Sequence, residues 1–126
     1  MTLYKNIQGK RGEDLAVSYL KKLGFQIIDR NFRIRGGKID IIAIETSQLT
    51  GQKTLVFIEV KTRSTGEFGT PLEAITYYKL KSLMKTASYY CMRNPHLQKL
   101  MRIDAVTVVL NTHNELLEIE LVKNIS

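Results

Sequence analysis

The stretch Leu55-Val56-Phe57-Ile58-Glu59-Val60-Lys61-Thr62-Arg63 starts as an apolar run and then sets two opposite charges into it. The run Leu55-Val56-Phe57-Ile58 predicts a strand that enters the core. Charged side chains are almost never fully buried without a partner or a metal. Alternation along a strand puts Glu59 and Lys61 on the same face. They are therefore either a structural ion pair at a strand end or part of a site.

The strand before it decides between these. Ile39-Asp40-Ile41-Ile42-Ala43-Ile44-Glu45 predicts a neighbouring strand, and the polar residues 46–54 suit a hairpin with a longer loop. If that hairpin centres near residue 50, Asp40 falls opposite residues 59 to 61. An odd pairing sum then sets it beside Glu59 or Lys61, and a one-residue slip would send it to the other face. Two adjacent carboxylates repel, and at least one pKa rises unless a cation intervenes. Mg²⁺ (or Mn²⁺) is the economical cation, because it takes oxygen ligands and uses one or two carboxylates while keeping waters. Such an ion acidifies a bound water and neutralises phosphate charge. Lys61 is placed to orient that water or to stabilise developing negative charge. Asp40, Glu59 and Lys61 thus form a minimal set for hydrolysing a phosphodiester.

The remaining elements follow from periodicity and punctuation. A helix is expected over residues 12–23, where Leu15, Ala16, Tyr19, Leu20 and Leu23 recur at helical spacing and Gly24 follows as a stop. Residues 25–28 and 31–35 predict a first, bent strand, and Gly36-Gly37 a turn. Thr70, Pro71 and Glu73 read as a capping box with proline at the first helical position. A second helix is expected from there to about Met92, with Leu80, Leu83, Met84, Ala87 and Cys91 as its apolar stripe. Residues 102–110 and 115–122 predict the last two strands. The order αβββαββ describes one small α/β or α+β domain across residues 1–126, a central mixed sheet flanked by helices.

Composition narrows the setting. A single cysteine, Cys91, excludes an intramolecular disulfide and a cysteine-rich zinc site, which points to a reducing compartment. No stretch approaches the ~18 apolar residues of a membrane helix, and the N-terminus lacks a signal-peptide core. The expected location is cytoplasmic, with no membrane partner. The net charge of +7 is uneven: residues 1–38 hold nine Lys/Arg against three acids, and residues 79–102 hold six against none. Residues 39–78 are acidic on balance, three basic to five acidic. Two basic regions therefore flank an acidic middle, and a basic surface suits nucleic acid or an anionic membrane or, on charge alone, simple solubility.

Asp40, followed by Glu59-Val60-Lys61, resembles the PD-(D/E)xK core of restriction-endonuclease-like nucleases. The resemblance is closest to the small bacterial YraN-like family, which is similar to archaeal-type Holliday-junction resolvases. It runs through Gly9, Gly12-Glu13, Ala16, Tyr19-Leu20, Gly24-Phe25, Arg30-Asn31 and Arg33, then the stretch from Phe57 to Arg63. Phe68-Gly69, Pro71, Glu73-Ala74 and Arg102-Ile103-Asp104 extend it over nearly the whole chain. The resemblance implies a metal-dependent endonuclease fold acting on DNA, including branched DNA. It adds Glu13 to the metal ligands Asp40 and Glu59, and it suggests a homodimer, since a junction offers two equivalent strands. One departure stands out: where the family usually has Gly-Glu-Ile-Asp, this chain has Gly37-Lys38-Ile39-Asp40.

On this reading Arg30, Arg33, Arg35, Arg63 and Lys79 hold DNA phosphates. Lys38 favours an alternative, a nucleic-acid-binding module of the same fold without catalysis. A protein-interaction scaffold with a fortuitous charge pair is a third reading. Asp104 is expected to pair structurally with a nearby arginine, His96 and His113 to be solvated, and the Tyr77-Tyr78 and Tyr89-Tyr90 pairs to pack within the protein.

Overall fold

The computed structural model describes residues 3–65, 69–97 and 100–126, with side chains from residue 6 onwards, so Phe68 of the family pattern lies outside the described residues. The elements are α1 (Leu3–Lys22), β1 (Gln26–Ile34), β2 (Gly37–Thr46), β3 (Lys53–Ser64), a 3-10 turn (Leu72–Ala74), α2 (Tyr77–Arg93), β4 (Met101–Leu110) and β5 (Leu116–Val122). They build an α+β fold around one five-stranded sheet in the order β1-β2-β3-β4-β5. The β3–β4 pair is parallel and the others antiparallel, so the sheet is mixed, as the sequence predicts. A parallel pair needs a long crossover, and α2 provides it.

One helix covers each face. Ala16, Val17 and Leu20 of α1 pack on Ile41, Ala43, Val56, Ile58, Val106 and Val108. Leu83, Ala87 and Tyr90 of α2 pack on Ile42, Ile44, Leu55, Phe57 and Ile103. Tyr90 meets Phe32 and Phe57 edge to face, with centroids 4.9 Å and 5.8 Å away. Burial on both faces explains why β2 and β3 read as near-continuous apolar runs rather than alternating ones.

The helix starts differ from expectation. α1 begins at Leu3, nine residues before the predicted start, because residues 3–11 carry little apolar periodicity to mark them. The predicted capping box does form: Thr70 N–H donates to Glu73 Oε2 at 3.2 Å, and Glu73 N–H to Thr70 Oγ1 at 3.4 Å. It closes only the 3-10 turn, after which Ile75 turns extended at φ −91, ψ 98. α2 then starts afresh, with Thr76 Oγ1 accepting from Lys79 N–H at 3.1 Å. Met84, assigned to the apolar stripe, is exposed.

Two local features set up the site. β1 is bent, as predicted: its register with β2 shifts between Ile27 and Asp29, and Asn31 adopts φ 54. Asn31 falls between Arg30, paired with Ile41, and Phe32, paired with Ile39. Along β2, Ile41 points into the α1 core, yet Ile39 joins the α2 core, so alternation breaks at Asp40. Both strands therefore change face at the same level. Gly12 lets α1 approach β3 closely, since a Cβ there would overlap the Thr62 hydroxyl and stand 3.0 Å from Thr62 Cβ.

Candidate functional site

The ladder between β2 and β3 pairs Ile41 with Ile58, and the pairing sum is odd. The next pair in that register would be Asp40 and Glu59. Here the ladder gives way: the Val60 N–H donates to Asp40 Oδ2 at 2.8 Å. The side chain of Asp40 thus replaces a backbone acceptor, which pins its carboxylate at the point where the strands part. Glu59 follows Phe57 and Leu55 onto the α2 face and is 2% exposed.

Three lysines surround the two carboxylates. Lys38 Nζ is 2.9 Å from Asp40 Oδ1, Lys61 Nζ is 3.3 Å from Glu59 Oε2, and Lys79 Nζ is 3.4 Å from the same Glu59 oxygen. A straight strand would hold Lys38 roughly 6–7 Å from Asp40, but its side chain folds back into direct contact. Glu59 Oε1 is buried and has no hydrogen-bond partner among the described residues. Burial first, then the Asp40 charge, push Glu59 up to about 7, against the opposing pull of Lys79 and Lys61. Burial pulls the Lys38 ammonium down, but the hydrogen bond and charge of Asp40, with the charge of Glu59, outweigh it and the net shift is upward.

These groups line an open cleft of about 660 Å³ that takes in all of Glu13, Arg30, Arg33, Asp40, Glu59, Lys61, Arg63 and Lys79. Eight of the nine residues singled out from the sequence therefore meet in one place. Arg35 does not: it lines a separate cavity with Tyr89 and Arg93. Seven basic and three acidic side chains line the main cleft, so its field favours an anionic ligand. Arg30 spends its guanidinium within the protein, 3.2 Å from Glu13 Oε1 and 2.8 Å from Asp14 Oδ1. Asn31 Nδ2 also donates to Glu13 Oε1, at 3.0 Å. Glu13 thus faces the cleft but is held by β1, and among the described residues no three His, Cys, Asp or Glu side chains gather as a metal cluster. Gln8, buried in the cleft wall, was missed because the helix was expected to begin at residue 12.

The donor set suits a hard cation. Two carboxylates, one with an unused buried oxygen, match an ion that takes one or two protein carboxylates and completes its shell with water and substrate oxygens. Asp104 lies elsewhere and has the structural role expected of it. Arg102 reaches it through two bonds of 2.8 Å, and Asn124 N–H donates to it at 2.9 Å. His96 and His113 are exposed, as expected. Tyr77 and Tyr78 are not packed, contrary to expectation: they are 65% and 82% exposed. Among the described residues no helix is long and apolar enough to cross a membrane.

Fold and site together define an α+β protein with a buried acidic pair, ringed by lysines, at the floor of a basic cleft. The profile of the uncharacterised protein family UPF0102 matches residues 12–108, and the chain belongs to that family, the YraN-like family indicated by its motifs. A UPF0102 protein of Caldicellulosiruptor saccharolyticus is 45% identical over 116 residues, covering 92% of this chain and 93% of the relative. A second, from Geobacter sulfurreducens, is 43% identical over 107 residues, covering 85% and 79%. A third, from Clostridium botulinum, is 42% identical over 117 residues, covering 92% and 90%.

Proposed function

We propose that this protein is a metal-dependent endonuclease of the restriction-endonuclease-like kind, acting on DNA phosphodiesters. The observation that carries the reading is the buried Asp40–Glu59 pair with its unpartnered Oε1 in a basic cleft. Asp40 and Glu59 would hold Mg²⁺ or Mn²⁺; Glu13 lines the same cleft and would join them only by leaving Arg30 and Asn31. The bound ion supplies an acidified water and neutralises phosphate charge. Lys61 and Lys79 stand on the Glu59 side, where their ammonium groups stabilise negative charge developing on a phosphoryl oxygen. The backbone N–H of Val60 fixes Asp40, and burial keeps Glu59 from swinging into water. Arg33 and Arg63 line the approach and hold flanking phosphates.

A second reading, a DNA-binding module of this fold without catalysis, rests on the Lys38–Asp40 ion pair, which puts a fixed ammonium against a metal-ligand oxygen. Cleavage of duplex, flap and four-way DNA with Mg²⁺ or Mn²⁺ separates the two. The nuclease reading expects cleavage that Glu59→Gln abolishes while DNA binding survives and weakens steeply with salt. Binding without cleavage under either ion favours the module. Cleavage that persists in Glu59→Gln sinks the assignment of the site.

A further inference from the structure

A second cavity, of about 410 Å³, opens between β1, the edge strand of the sheet, and α2. Arg33, Arg35 and Arg93 line it, against one acid, Asp29. Asp29 Oδ1 already accepts from the Arg30 N–H at 2.9 Å. Arg30 and Arg102 spend their guanidinium groups on carboxylates elsewhere. Among the described residues, none of the three arginines of this cavity forms an ion pair, and Arg33 and Arg35 form no side-chain hydrogen bond. Arg93 Nη1 donates to the Tyr89 hydroxyl at 3.0 Å, which leaves the hydroxyl proton to donate in turn. The walls are set before any ligand arrives. Ser82 Oγ of α2 donates to Gly36 O at 3.1 Å in the turn that carries Arg35, and a Cβ on Gly37 would overlap the Thr86 hydroxyl. Phe32 packs edge to face on Tyr90, with centroids 4.9 Å apart. Strand, turn and helix are thus fastened at two points, and three like charges stay close together. An anion relieves that repulsion.

The position of the cavity says which anion. Arg33 lines both this cavity and the main cleft. Across the β1–β2 ladder it pairs with Lys38, whose ammonium is 2.9 Å from Asp40. A polyanion in the cleft therefore reaches the second cavity across one shared side chain. DNA offers a phosphate at every ~3.4 Å of rise along each strand, so one molecule fills both. We infer that the Arg33–Arg35–Arg93 cavity is a second phosphate seat, holding a backbone phosphate of the DNA whose scissile bond lies in the cleft. The inference rests on the DNA reading of the cleft and extends its footprint over the β1 edge of the sheet. Planar guanidinium forks match phosphate oxygens, and the Tyr89 hydroxyl adds a neutral donor. Such contacts read no base, so the seat sets affinity and register rather than sequence preference.

The test variant is Arg35→Ala/Arg93→Ala, which leaves every residue of the main cleft in place. Both side chains are exposed, so the fold should survive, and Arg35→Lys/Arg93→Lys keeps the charge as a control. Duplex DNA binding is measured without divalent ions over a range of salt, and ethylation interference maps the phosphates that matter. Wild type should show two groups of sensitive phosphates, separated along the backbone. The Ala variant should lose one group and keep the other, bind roughly tenfold more weakly, and show a salt slope smaller by about 1. The Lys variant should keep the slope and both groups. Unchanged affinity and slope in the Ala variant would overturn the second seat and leave the DNA reading intact. So would a loss spread evenly over both groups, or a single group in wild type. A wild-type protein that binds no DNA overturns the DNA reading and the seat together. Two groups of phosphates without cleavage once Mg²⁺ or Mn²⁺ is added would sink the nuclease reading alone and support the seat.

Discussion

Lys38 Nζ stands 2.9 Å from Asp40 Oδ1, so the residue that departs from the family pattern touches the first site carboxylate directly. A divalent ion binding to Asp40 has to displace or tolerate that ammonium. At contact range such a repulsion is worth about 1–2 kcal/mol even for an effective dielectric near that of water. Lys38→Gln should therefore tighten Mn²⁺ and Mg²⁺ binding by roughly tenfold. Titration calorimetry on both proteins checks this, and equal affinities would show the lysine to be harmless.

Glu59 gives the protein an unusual pH dependence. Its carboxyl is raised from the ordinary 4.5 to about 7, so the folded state holds a proton that the unfolded state releases. The contribution is fully present below the unfolded value and is lost as pH rises through about 7. Glu59→Gln removes it, so the variant should gain on wild type as pH rises from 4 to 8, by on the order of 3 kcal/mol. Urea unfolding at both pH values is the measurement, and a pH-independent gap would refute the raised carboxyl.

Gly12 brings α1 against β3 beside the cleft. Gly12→Ala should destabilise by about 1–3 kcal/mol, because the new methyl overlaps a β-branched side chain held in a strand. Thr62→Ala in the same chain should recover much of the loss. A double-mutant cycle with no coupling would mean that the helix shifts to make room.

Arg102 neutralises Asp104, which is fully buried, and also reaches Glu45 at 2.8 Å. Arg102→Ala leaves a buried carboxylate without its counterion and should cost about 3–5 kcal/mol, measured by chemical denaturation. A cost under 1 kcal/mol would mean that water replaces the guanidinium.

The order of elements, the mixed sheet and the meeting of Asp40 with Glu59 were legible because each rests on a strong local signal. An unbroken apolar run marks a strand, and an odd pairing sum sets neighbours on one face. What was not legible depends on tertiary context. The Thr70–Glu73 box carries a helix-start signal, but nothing in the sequence says that Ile75 turns extended and ends it. Strand spacing alone would hold Lys38 away from Asp40, and it ignores that a long side chain folds back to a nearby carboxylate. The exposure of Tyr77 and Tyr78 could not be read from type, since tyrosine sits as readily inside as out. Nor does spacing reveal that Arg30 is held by Glu13 and Asp14, 17 and 16 residues away in sequence.

The hairpin origin of the site keeps it local in sequence. Asp40, Glu59, Lys38 and Lys61 all come from β2 and β3. Lys79, in the first turn of α2, stands 20 residues from Glu59, against 19 between Glu59 and Asp40. The parallel β3–β4 pair joins residues much further apart, such as Glu59 and Ala105, 46 positions on. Loop-closure entropy grows with that separation, so short loops bring the acidic pair and its lysines together while the parallel pair is the long-range step of the fold.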